Sequence, residues 1–196
     1  MARCDNWEQK NMNKEILTPA AKNGWVFALL MVIFVALWII PLSLVPILGD
    51  LIRGGVFVSF LFLAVYMRDA AYAFEGTDRV AMKDVALGFA LMLAGLIAEE
   101  YGTPLTPTAV VWDLAFAVLF LLGGLKIMSA FGKLATSSVF DNKAAGTLKL
   151  AGIFFIVAAA LGVLFAFLSF FWLIFKIFLL VAAIVFLVGW GKIKNA

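Results

Sequence analysis

Histidine is absent from this sequence, which removes His-ligated haem, His-based zinc sites, Ser-His and Cys-His nucleophile pairs and imidazole proton relays together. Cysteine occurs once, at Cys4, so no disulfide can close within the chain. Charge is scarce as well, with Asp, Glu, Lys and Arg making up 14% of residues. Apolar residues fill the space: 65% are hydrophobic, and a mean hydropathy of +1.10 lies far from that of a water-soluble domain. The formal net charge of +3 does not argue for nucleic acid, because the basic residues are spread over short connections and form no basic face. The opening MARCDNWEQKNMNKEIL mixes both charge signs, and the apolar run after it is long enough to stay in a bilayer. That predicts a retained first anchor.

Crossing a bilayer takes about 20 apolar residues, and six stretches qualify. They run from Gly24 to about Pro46, Gly54 to about Tyr72, Asp84 to Ala98, Pro107 to about Ala130, Gly146 to about Ala166 and Leu168 to about Trp190. Thr18-Pro19 and Thr106-Pro107 read as helix starts, each a capping residue followed by the proline that a first helical position tolerates. Pro41 and Pro46 kink or end the first span, and LGDLIRGG is a tight connection to the second. The fold class is therefore all-α, a six-transmembrane-helix bundle at 24–190 with tails at 1–23 and 191–196. No soluble domain fits between the spans.

Basic residues near span ends set the orientation. Arg3, Lys10, Lys14, Lys22, Arg68, Arg79, Lys83, Lys126, Lys133, Lys143, Lys149, Lys192 and Lys194 share one side, against Arg53 alone in a connection on the other. Both termini are thus expected in the cytoplasm. Trp25 and Trp190 then lie at the inner interface and Trp38, Trp112 and Trp172 near the outer one, as aromatic belts require.

Ala86, Ala90, Ala94 and Ala98 recur at four-residue spacing in the third span, a smooth stripe ending at Glu99 and Glu100. Small side chains let helices approach closely in lipid, so the stripe predicts a packed helix and not a lipid-facing one. Ala158, Gly162 and Ala166 repeat it in the fifth span. Two roles fit such faces: packing inside the bundle, or docking of another membrane subunit. Gly123-Gly124 in the fourth span reads as close packing or as a flexible point.

The spans also align as three copies of a hairpin. ALGFALMLAGLIA matches LAGIFFIVAAALG, pairing Gly88 with Gly152, Ala94 with Ala158 and Ala98 with Gly162. LFLLGGLKIMSAFGK matches FLLVAAIVFLVGWGK. Two explanations fit: parallel helical-hairpin repeats about an axis along the membrane normal, or chance alignment of apolar helices with a limited alphabet.

GKLATSSVFDNKAAGTLKLAGIFFIV, from Gly132 to Val157, resembles a connection in small uncharacterised bacterial polytopic membrane proteins, and VAMKDVALG is a looser match to it. The resemblance covers little more than that connection. It implies a bacterial origin, hence a multi-pass protein of the inner (plasma) membrane, and carries no activity. In size and helix count the chain is also similar to the substrate-binding subunits of energy-coupling-factor vitamin transporters, whose small-residue helices dock a partner. It shares no binding motif with them. Gly49-Asp50 resembles part of the Gly-x-Gly-Asp pattern of carboxylate-pair intramembrane proteases, but position 47 is isoleucine and no aspartate follows a tyrosine.

Charge inside the spans is the remaining place to look. Asp113 and Lys176 each lie about two turns in from the outer side. A lone Asp or Lys at the bilayer centre costs about 2.5 to 3.5 kcal/mol on insertion scales, so their matched depth invites a pair across helices. Asp50, Arg53, Glu99 and Glu100 gather on the same side. Such a cluster reads either as a cation or proton site in an outward polar cleft, or as ordinary interfacial charges with a snorkelling or structurally paired lysine. With no catalytic constellation, metal-ligand set or cofactor motif in the sequence, the expectation is a non-catalytic accessory or assembly subunit. Its partners would be membrane lipids and further copies or other membrane subunits. The alternative is a small-solute or ion transporter working through the outer cluster, for which a dry bundle interior would be unfavourable.

Overall fold

Proline sets the end of the first helix and the start of the second, both earlier in the chain than expected. The computed structural model describes residues 2–40, 46–100, 107–137, 140–165 and 171–194. Helix α1 (Ala2–Ile39) stops two residues before Pro41, because a residue preceding proline is pushed out of helical geometry. Helix α2 (Pro46–Ala70) starts on Pro46 itself, where the missing N–H costs no hydrogen bond. LGDLIRGG is consequently the opening of α2 and not a connection. Pro19 likewise lies inside α1 and not at its start. A proline there forfeits one intrahelical bond, and the Tyr66 hydroxyl of α2 reinforces the site by donating to the Pro19 carbonyl at 3.3 Å while accepting from Asn23.

A single turn of 3₁₀ helix, Ala71–Ala73, follows α2. Gly76 then opens α3 (Gly76–Glu100) at a φ of +54°, a left-handed conformation that glycine adopts without strain. Helix α4 (Pro107–Leu134) begins on the expected proline. Helix α5 (Asn142–Phe165) begins four residues before Gly146, because the Asp141 carboxylate caps it by accepting the Ala144 N–H at 3.0 Å. Helix α6 (Phe171–Lys194) completes the chain as described; Pro41, Thr106, Ala166 and the expected sixth start at Leu168 lie outside the described residues. Among the described residues six helices are long and apolar enough to cross a membrane, and there is no strand.

Each helix packs antiparallel on its chain neighbours, and α6 closes onto α1, so the six form a ring. Trp38 meets Trp172 at one end and Trp25 meets Lys194 at the other, which fixes the sense of that closure. Both chain ends share what we term the proximal end; Ile39, Glu100 and Phe171 mark the distal end.

Phenylalanine fills the ring. Phe60 of α2, Phe89 of α3, Phe120 of α4, Phe155 of α5 and Phe186 of α6 are fully buried. Phe89 stands with its ring centroid 5.2 Å from Phe186, 6.0 Å from Phe60 and 6.1 Å from Phe155, all edge to face. Phe120 adds contacts to Phe60, Phe155 and Phe175. In lipid, where hydrophobic burial drives no helix association, such packing contributes directly, about 0.5 to 1.5 kcal/mol for each favourable aromatic pair.

Glycine makes the closest helix contacts. A Cβ on Gly123 would sit 2.5 Å from the Gly88 carbonyl oxygen, and one on Gly152 would sit 2.7 Å from the Met128 nitrogen. The alanine stripe of α3 does not do this. Ala86 and Ala98 are buried, but Ala90 and Ala94 are exposed on the outer face, and the expectation of a wholly packed stripe is corrected there. At 100° per residue, four-residue steps rotate 40° each, so the stripe sweeps across the side opposite Gly88, Met92 and Gly95. Gly88 and Gly152, paired in the repeat alignment, both abut α4, one from the helix before it and one from the helix after.

Candidate functional site

Two polar clusters stand out, one toward each end of the ring. At the distal end, Arg53 on the second turn of α2 forks onto both oxygens of Glu100 at the end of α3, at 2.7 and 2.6 Å. The pair staples α2 to α3. Glu99 is half-buried beside it and close enough to Glu100, Arg53, Asp113 and Lys176 to feel the charge of each. It makes no ion pair among the described residues. Asp50 is exposed at the start of α2, outside any ion pair among the described residues.

Asp113 and Lys176 do not form the expected pair. The Lys176 ammonium donates to the Trp38 carbonyl at 3.2 Å and lies 4.6 Å from the Trp38 ring centroid and 5.3 Å from that of Trp172. The reason lies in α1. The last four carbonyls of a helix have no intrahelical partner, and Pro41 has no N–H to offer. A cation at that end satisfies an orphan carbonyl and the helix dipole together. With no basic residue in the last turn of α1, α6 supplies one in Lys176. Asp113, half-buried on α4, has no ion pair with it. Matched depth was the only sequence signal for the pair, and depth says nothing about which way two helices turn.

The small residues of α5 pack inward where described: Ala158 is fully buried, and a Cβ on Gly162 would lie 2.7 Å from the Phe116 ring. Gly124 similarly faces Ile156.

Toward the proximal end stands a cluster that the sequence reading missed. Asp84, two turns into α3, accepts from Lys126 at 3.1 Å and from Lys133 at 3.3 Å, both on α4. Its side chain is mostly covered at 19% exposure, while the lysines are 45% and 53% exposed. Both lysines lie within α4, which runs past the expected end at about Ala130 to include Lys133. Their seven-residue separation, two turns of helix, was the available signal. The three charges line the polar end of an open cavity of about 370 Å³ between α3 and α4, whose remaining walls are Ser129, Leu91, Leu122 and Leu125.

The six apolar helices define a multi-pass α-helical membrane protein. No protein family model, no curated protein and no solved structure matches the chain.

Proposed function

We propose that the protein is a non-catalytic accessory or assembly subunit of a bacterial inner membrane, working by helix packing against other membrane subunits, with both termini in the cytoplasm. One observation carries the reading: the centre of the ring is filled with interlocked aromatic side chains. Among the described residues the buried set holds one polar residue, Ser59, and its hydroxyl is bonded back to the Gly55 carbonyl. Among the described residues, the rings around Phe89 and Phe120 leave the middle of the interior without a polar lining for an aqueous route. The exposed middle of the alanine stripe supports the same reading, since Ala90 and Ala94 give the outer face of α3 a smooth surface that a second helix can approach. The basic proximal end supports the cytoplasmic placement.

Transport through the distal cluster remains the competing reading, favoured by the half-buried Glu99. Native mass spectrometry on the tagged protein, released from its own membrane in mild detergent, separates them. The accessory reading expects a stoichiometric foreign subunit that is lost from Ala90→Leu/Ala94→Leu while the chain itself stays folded. A lone protein carrying a small ligand, lost on Glu99→Gln, would overturn it in favour of transport.

A further inference from the structure

The cavity between α3 and α4 combines three features on one wall. Lys126, Ser129 and Lys133 succeed one another at three and four residues, so they form one stripe of α4. Asp84 balances one of the two lysines, leaving one positive charge over. Ser129 adds an independent sign. Serines and threonines inside helices commonly return their hydroxyl to the carbonyl four residues back, as Ser59 does to Gly55 and Thr147 to Lys143. Ser129 does not: its exposed hydroxyl has no partner among the described residues. A free hydroxyl on the bilayer face of a helix is costly unless something answers it.

Toward the middle of the bundle the cavity turns apolar. Leu122 lies one turn from Lys126 along α4 and Leu91 two turns from Asp84 along α3, with Leu125 beside them. A positively charged polar mouth near the helix ends, continued by a leucine-walled groove running toward the bilayer centre, matches an amphiphile with one negative charge. We propose that this groove is a binding site for an anionic phospholipid. Its phosphodiester sits against Lys126, Lys133 and the Ser129 hydroxyl, and an acyl chain lies along Leu91, Leu122 and Leu125. Charge complementarity selects the lipid class, and the apolar walls select a lipid over a free phosphate.

The test titrates the full chain in mild detergent with phosphatidylglycerol and with phosphatidylcholine of the same acyl chains, read by native mass spectrometry. The wild type is expected to hold one phosphatidylglycerol about fivefold more tightly than phosphatidylcholine, the factor corresponding to about 1 kcal/mol for one unbalanced cation near the membrane surface. Removing the lysines alone strands Asp84, so the deciding variant is Asp84→Asn/Lys126→Gln/Lys133→Gln, which leaves no uncompensated charge. Its preference should fall to about one. The control Lys22→Gln/Lys143→Gln, which removes more net charge at the same end, should keep it. Leu122→Trp, filling the groove with the charges intact, should also lose the bound lipid. An equal preference in the triple variant and the wild type, or an equal loss in the control, would overturn the site. Displacement of the lipid by millimolar glycerol phosphate would assign the lysines to a free phosphate and overturn the lipid.

Discussion

Lys176 illustrates how a half-buried cation is settled by what surrounds it and not by an acid at matched depth. Its ammonium has a carbonyl and two indole faces, which explains why Asp113 can stand apart from it. A charge-assisted hydrogen bond contributes about 1.5 to 3 kcal/mol and a partly desolvated cation–π contact about 0.5 to 2 kcal/mol. Lys176→Met should therefore lower the unfolding free energy by about 2 kcal/mol, measured by thermal or denaturant unfolding in detergent. Asp113→Asn should change it by less than about 0.5 kcal/mol, and the two should add, with a coupling term within about 0.5 kcal/mol of zero. A coupling near 2 kcal/mol would restore the ion pair. Phe89 is the opposite kind of residue, with no polar function and contacts to three other helices through Phe60, Phe155 and Phe186. Phe89→Ala should cost about 3 to 5 kcal/mol in the same assay.

At the scale of helices, the glycine contacts and the alanine stripe make opposite predictions. Gly123 meets the backbone of α3, which cannot step aside as a flexible side chain would. Gly123→Leu should destabilise the fold by about 1 to 3 kcal/mol or more through overpacking. Ala90→Leu/Ala94→Leu should leave the stability of the isolated chain within about 0.5 kcal/mol, because those side chains point away from it. Equal losses from both would mean that the outer face of α3 is packed after all. The same helix shows what a sequence reveals and what it hides. The alanine stripe of α3 pointed to a close approach on a face whose middle is exposed. The approach is made at Gly88 and Gly95 instead, and only the partner helix decides which small-residue face is used. The proline at the head of α4 was legible as a helix start, while the same Thr-Pro pattern at Thr18-Pro19 pointed to a start that α1 does not have. Pro19 and Pro46 were not legible in that way, since a proline reads as a start, an end or an interior kink depending on hydrogen bonds that neighbouring helices provide. The Asp84 cluster was hidden for a related reason. Its lysines were counted by their side of the membrane, and the groove they line exists only once α3 lies beside α4.

For the molecule as a whole, hydropathy revealed the solvent and the number of crossings, because each span must satisfy that requirement on its own. The ring closure of α6 onto α1 was beyond it, being a property of six helices together. That closure makes the strongest demand on experiment. If a ring of six helices is plugged by aromatic side chains, water reaches its two ends and not its middle. Single cysteines on a Cys4→Ser background test this with a membrane-impermeant maleimide applied to either face of sealed vesicles. Thr136→Cys at the proximal end should label from one face and Asp50→Cys at the distal end from the other, since both side chains are exposed. Ala158→Cys and Ala182→Cys, at fully buried positions on α5 and α6, should label from neither face until the protein is denatured. Alanine is the right starting residue, because exchange for cysteine opens no cavity that would admit water by itself. Labelling of Ala158→Cys or Ala182→Cys in the native protein, at a rate near that of Thr136→Cys, would mean that the interior opens to water. The aromatic plug would then be a closed state of a pathway, and Glu99, Asp113 and Lys176 would become its outer mouth. Protection at both positions leaves the end surfaces and the lipid-facing surface of the ring for function, and there the outer face of α3 and the lysine groove beside it are the places to act.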